Sequence, residues 1–122
     1  MANILVVDDD PFISRLILLV LSTAGYTAEH LADPFAVIPH ITAHPPDLLI
    51  LDVMLPGISG VDIARLLAHA ERTAALPILF LSATDSNDPF LSAALTELHA
   101  YHLTKPFGRQ TLLHTIEEIL GQ

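Results

Sequence analysis

Cysteine is absent from this chain, which removes both a disulfide framework and any thiolate metal site. Basic residues are scarce: five Lys and Arg stand against fourteen Asp and Glu, a formal charge of −9. A molecule of that sign repels the phosphate backbone, so direct nucleic-acid binding is not expected. Long apolar runs are missing too. The longest candidate, Leu16 to Leu21, falls well short of the roughly 20 residues that span a bilayer. Met1-Ala2-Asn3-Ile4 does not open a basic region leading into an apolar stretch and cleavage site. No export signal and no membrane insertion are expected, and the expected location is cytoplasmic.

What is abundant is apolar: 52% of residues are hydrophobic and the mean hydropathy is +0.54, which excludes a disordered tail. Residues 1–122 are read as one domain, long enough to bury a core unaided. Short β-rich runs recur at Ile4–Val7, Thr27–Leu31, Leu48–Leu51, Ile78–Leu81 and Tyr101–Leu103. Helical spacing fills the intervals. The first helix is expected over Pro11–Ala24, with Asp10 as N-cap and Gly25 as its stop. The second starts at Asp33-Pro34 and cannot pass Pro45-Pro46. The third follows Ser59, which with Asp62 predicts a capping box, and puts Ile63, Leu66, Leu67 and Ala70 on one face. The fourth runs from about Asn87 to Leu98, and the fifth follows Gly108.

Five strand–helix units in strict alternation predict an α/β fold, a doubly wound open parallel sheet with helices on both faces. Leu48-Leu49-Ile50-Leu51 has no polar alternation, as befits a central strand. Sites in such sheets form where strands end. The first strand ends in Asp8-Asp9-Asp10, the third in Asp52, the fourth in Ser82-Ala83, and the fifth in Thr104-Lys105-Pro106. If the first and third strands are neighbours, Asp8, Asp9 and Asp52 converge. Crowded carboxylates repel one another unless a hard cation neutralises them, and oxygen-only donors favour Mg²⁺ over Zn²⁺ or copper. Lys105 adds a positive charge and Ser82 a hydroxyl. Together these suit phosphoryl transfer onto an Asp nucleophile. Each residue also has a plainer reading: Asp-rich turns start helices, strand-end serines start turns, and Lys105-Pro106-Phe107 is a turn sequence. The seven histidines are read as scattered surface or packing residues, with no metal-ligand pair expected among them.

Four segments, in order and each on a strand end, carry a resemblance: Ile4-Leu5-Val6-Val7-Asp8-Asp9-Asp10-Pro11, Leu51-Asp52-Val53-Met54-Leu55-Pro56-Gly57-Ile58-Ser59-Gly60, Leu81-Ser82-Ala83 and Lys105-Pro106-Phe107. The chain resembles a two-component response-regulator receiver domain over essentially its whole length. The resemblance implies five strands in the flavodoxin-like order 2-1-3-4-5 with five helices. It implies that Asp52 is the phosphoacceptor and that Mg²⁺ is held by Asp8, Asp9, Asp52 and the Met54 backbone carbonyl. Asp9 would contact the ion directly and Asp8 through water. Ser82, Ala83 and Lys105 would meet the phosphoryl group, with Ala83 leaving access, Met54 and Thr84 would flank the site, and the Lys105-Pro106 bond would be cis.

The implied phosphodonor is a sensor histidine kinase or histidine phosphotransfer protein. The implied output is altered contact with a downstream protein or output domain, or a homodimer, through the fourth helix, fifth strand and fifth helix. Ser82 and His102 would be the switch. His102 is a departure, because the family carries an aromatic residue three positions before the lysine, and Leu98-His99 replaces a small Gly-Ala pair. An adaptor receiver that relays or stores phosphate without a shape change is the alternative. A haloacid-dehalogenase-like phosphatase would need a second acid where Met54 stands, and a dinucleotide binder would need glycines in place of Asp8-Asp9-Asp10. The expected molecule is a phosphoacceptor and not an enzyme, beyond catalysing its own phosphorylation and dephosphorylation. With nothing following the fifth helix but Gly121-Gln122, it is expected to stand alone or to be a module of a longer protein.

Overall fold

The computed structural model describes residues 2–83 and 87–121. Its strands are β1 (Asn3–Val7), β2 (Thr27–Leu31), β3 (Leu48–Asp52), β4 (Ile78–Ser82) and β5 (Tyr101–Thr104). Its helices are α1 (Pro11–Thr23), α2 (Val37–Ala43), α3 (Gly60–His69), α4 (Pro89–Leu98) and α5 (Arg109–Leu120), with a 3₁₀ turn at Pro34–Ala36 leading into α2. All four strand pairings are parallel, in the order β2-β1-β3-β4-β5. The fold is flavodoxin-like. Several strands extend one residue beyond their apolar runs, taking in Asp52, Ser82 and Thr104, so polar residues close the ladder at its carboxyl end.

Alternation along the strands divides the core into two layers. Leu5, Val7, Leu49, Leu51, Ile78 and Phe80 pack beneath α2, α3 and α4, which contribute Val37, Ile41, Ile63, Leu67 and Ala94. Ile4, Val6, Leu48, Ile50, Leu79 and Leu81 pack beneath α1 and α5, which contribute Ile17, Leu21, Leu112, Ile116 and Ile119. Every residue of β3 and of β4 is buried, which is why these strands read as unbroken apolar runs.

Helix ends follow local chemistry. Asp10 accepts hydrogen bonds from the Phe12 and Ile13 amides at 2.9 and 3.4 Å, with Pro11 opening α1. Asp88 caps α4 through the Leu91 amide at 2.9 Å, two residues after the expected start. The capping box expected at Ser59 does not form: its hydroxyl accepts from Val61 N–H at 3.1 Å, while Asp62 turns toward Arg65 at 4.0 Å. Leu66, expected inside, is 57% exposed, because the buried stripe of α3 runs through Gly60, Val61, Ile63, Ala64 and Leu67. Ile63 and Leu67 are buried as expected, whereas Ala70, expected on the same face, is exposed, so the stripe leans toward Val61 and Ala64.

His99 ends α4 at φ 52°, ψ 41°, in the left-handed region that favours glycine. Its side chain is exposed. His99→Gly is expected to raise the unfolding free energy by about 1 kcal/mol in a denaturant titration, at unchanged slope.

Candidate functional site

Two neighbouring strands, β1 and β3, end in acids. Val7 pairs with Leu51, so Asp8 leaves the sheet beside Asp52. Among the described residues, Asp8, Asp9 and Asp52 form the one acidic group whose donor atoms all lie within 4.8 Å of one another. Asp8 is fully buried and Asp52 is 5% exposed, whereas Asp9 faces solvent. The site is thus a pocket with two acids at its floor and one at its lip.

Lys105 reaches across from the end of β5. Its Nζ donates to Asp52 Oδ2 at 3.0 Å and to Asp8 Oδ2 at 3.2 Å. The approach is set by the ladder: Ser82 pairs with Thr104, and the next amide, that of Lys105, donates to the Ser82 carbonyl at 2.8 Å. The Lys105–Pro106 peptide is cis. Ser82 is buried and Ala83, one residue on, is exposed. His102 lies on β5 opposite Phe80, and alternation from Tyr101 and Leu103 puts it on the α4 side of the sheet. Thr84 lies outside the described residues.

The backbone holds these acids tightly. Asp52 Oδ1 accepts the Met54 amide at 3.1 Å, which leaves the Met54 side chain 75% exposed at the rim. Gly60 opens α3 directly against β3, where a Cβ would collide with the Asp52 carbonyl oxygen. Asp8 Oδ1 accepts the Asp10 amide at 2.8 Å. The Asp8 carbonyl takes two side-chain donors, the buried Ser14 hydroxyl at 3.2 Å and His30 Nε2 at 2.8 Å. Ser14 and His30 were not singled out in the sequence. Val6 pairs with His30, so only the register of β2 on β1 shows that this imidazole reaches the acidic turn.

Burial pushes the Asp52 carboxyl above its ordinary range, and the nearby Asp8 charge adds to the rise. Hydrogen bonds from Lys105 and from the Met54 amide offset only part of it. For Lys105, burial disfavours the ammonium, but the hydrogen bond to Asp52 and the charges of Asp52 and Asp8 outweigh it, and the pKa is raised. Three carboxylates against one ammonium leave the pocket two negative charges in excess. An all-oxygen donor set with that deficit fits a hard divalent cation, Mg²⁺ above all.

A pocket of this composition, at the carboxyl edge of a β2-β1-β3-β4-β5 sheet, defines a class. The family model for the response regulator receiver domain matches residues 4–117. The chain belongs to that family and is a receiver domain of two-component signalling. It is 37% identical over 121 residues to the phosphate regulon transcriptional regulatory protein PhoB of Pseudomonas aeruginosa, a match covering 97% of this chain and 51% of PhoB. It is 33% identical to the chemotaxis protein CheY of the same organism, covering 96% of this chain and 94% of CheY. A crystal structure described as a response regulator from Chloroflexus aurantiacus superposes with a TM-score of 0.89 at 34% identity, covering 99% of this chain and 98% of that one. The chain spans about half the length of the transcriptional regulators it matches.

Because folded Asp52 holds its proton past the ordinary value of 3.8, its ionisation costs stability. That cost grows as pH climbs from 3.8 through the raised value, and a bound divalent cation removes it. Saturating Mg²⁺ is therefore expected to raise the melting temperature by several degrees near pH 7, and by less near pH 4, where the raised pKa leaves more of Asp52 protonated. Thermal unfolding with and without Mg²⁺ at the two pH values checks this. Equal shifts would contradict it.

Proposed function

We propose that Asp52 accepts a phosphoryl group from the phosphohistidine of a sensor histidine kinase or histidine phosphotransfer protein. The observation that carries this reading is the double hold of Lys105 on Asp52 and Asp8 inside a buried acidic pocket. A carboxylate oxygen of Asp52 attacks phosphorus, the bond from phosphorus to the donor imidazole nitrogen breaks, and the imidazole departs with the electron pair. Lys105, already 3.0 Å from Asp52, offers its ammonium to a phosphoryl oxygen as charge accumulates. Ser82, buried at the end of β4, and the small, exposed Ala83 after it are proposed to meet the same phosphoryl group. Hydrolysis reverses the state: water attacks phosphorus, the acyl phosphate opens, and the Asp52 carboxylate and inorganic phosphate are regenerated. In this sense the domain catalyses its own phosphorylation and dephosphorylation.

Asp8, Asp9, Asp52 and the Met54 carbonyl are proposed to hold Mg²⁺. When bound, the ion supplies charge neutralisation for the carboxylates and the incoming phosphoryl oxygens. Ser82 and His102 are proposed as the switch, coupling the pocket at the end of β4 to β5 and α4. Phosphorylation acts there by stabilising one conformer over another, which changes contacts of the α4–β5–α5 face with a downstream protein, an output domain or a second copy. Among the described residues no helix is long and apolar enough to cross a membrane, and a cytoplasmic location is proposed to match that of a phosphohistidine donor.

Incubation with acetyl phosphate and Mg²⁺, read by intact mass, tests the central assignment. The parent is expected to gain one phosphoryl group and Asp52→Asn none. Lys105→Ala is expected to be phosphorylated about 10²-fold more slowly, the scale on which one lost charge-stabilising donor acts. Phosphorylation of Asp52→Asn at the parent rate would remove Asp52 from the role.

A further inference from the structure

At the amino end of the sheet, away from the acidic pocket, a cleft of about 300 Å³ separates β2 from the end of α2. Three of its lining side chains carry metal-ligating atoms: Glu29, His40 and His44. Glu29 pairs in register with Leu5, whose side chain lies in the layer beneath α2, so its carboxylate rises on the side where α2 packs. His40 and His44 are four residues apart, the spacing that stacks side chains on one helical face. His44 caps α2 but keeps that spacing, since its amide donates to the His40 carbonyl at 2.8 Å.

Two of the three donors already stand at a spacing that one ion can bridge. His40 Nε2 and Glu29 Oε2 are 3.0 Å apart. Two donors sharing a zinc ion at bonds of about 2.0–2.1 Å stand roughly 3 Å from one another. The two imidazole centroids are 5.7 Å apart, with ring planes inclined by 50°. Two imidazoles on one such ion need about 5 Å between centroids. Among the described residues only the Asp trio already has three donors within 4.8 Å of each other, so an ion here must draw the His44 ring inward. That ring is exposed.

We propose that Glu29, His40 and His44 form a second metal site, taking a transition-metal dication of the zinc class with water completing its shell. Imidazole donors separate it chemically from the all-carboxylate pocket, which selects Mg²⁺. A bound ion ties β2, the edge strand, to α2, the helix that covers it. The site does not depend on phosphorylation of Asp52.

Calorimetric titration of the full chain with Zn²⁺ in excess Mg²⁺ tests the proposal on parent, His40→Gln, His44→Gln and Asp52→Asn. One Zn²⁺ per chain is expected for the parent and for Asp52→Asn. Each histidine variant is expected to bind at least about 10-fold more weakly, the lower bound seen when merely a supporting residue of a metal site is lost. A Zn²⁺-dependent rise in melting temperature should disappear in the same two variants, whose metal-free melting should match the parent. Absence of Zn²⁺ uptake overturns the proposal, as does uptake that both histidine variants retain or that Asp52→Asn abolishes.

Discussion

The pairing of Lys105 with two buried carboxylates is the interaction on which this molecule turns. Asp8 and Asp52 lie side by side, both buried, because β1 and β3 are neighbours in the sheet, and burial makes the ionisation of Asp52 costly. One ammonium at 3.0 and 3.2 Å answers both, from a strand two places from β3 and three from β1. A buried ion pair of this kind is not a strong source of net stability. What it provides is a pocket that keeps negative charge in place, short of neutrality, at the edge of a rigid sheet. A divalent cation fits that excess of negative charge.

Rigidity comes from the layers above and below. β3 and β4 are wholly buried between the two core layers, and the last residues of these strands, Asp52 and Ser82, are also site residues. The Asp8 carbonyl is pinned by Ser14 from α1 and by His30 from β2, so the acidic turn is braced from two elements. Gly60 lets α3 begin against the backbone of Asp52. Asp52 is thus held between a buried strand and the start of α3, with little free volume around its backbone.

Much of this was legible in the sequence because strand ends are marked twice, once by the end of an apolar run and again by the acid that follows it. Leu48-Leu49-Ile50-Leu51-Asp52 is the clearest case. The sheet order came with the family resemblance, and the convergence of Asp8, Asp9 and Asp52 rested on the single premise that β1 adjoins β3. What escaped was chemistry without a periodic signature. The hydrogen bond from His30 to Asp8 depends on cross-strand register, and Ser14 looks like any other helical serine. Leu66 lies outward because small residues, Gly60 and Ala64, bring the other side of α3 against the sheet, and neither carries a strong apolar signal. His40 and His44 did carry a signal, their i, i+4 spacing, which gained meaning only once Glu29 stood beside them.

The charge-deficit account is tested most directly by fluorine NMR of the protein with Mg²⁺ and beryllofluoride, a mimic of the phosphoryl group. Bound-state fluorine resonances that need Mg²⁺ and vanish in Asp52→Asn are the expected result. Resonances that persist without Asp52, or none at saturating Mg²⁺, would contradict it.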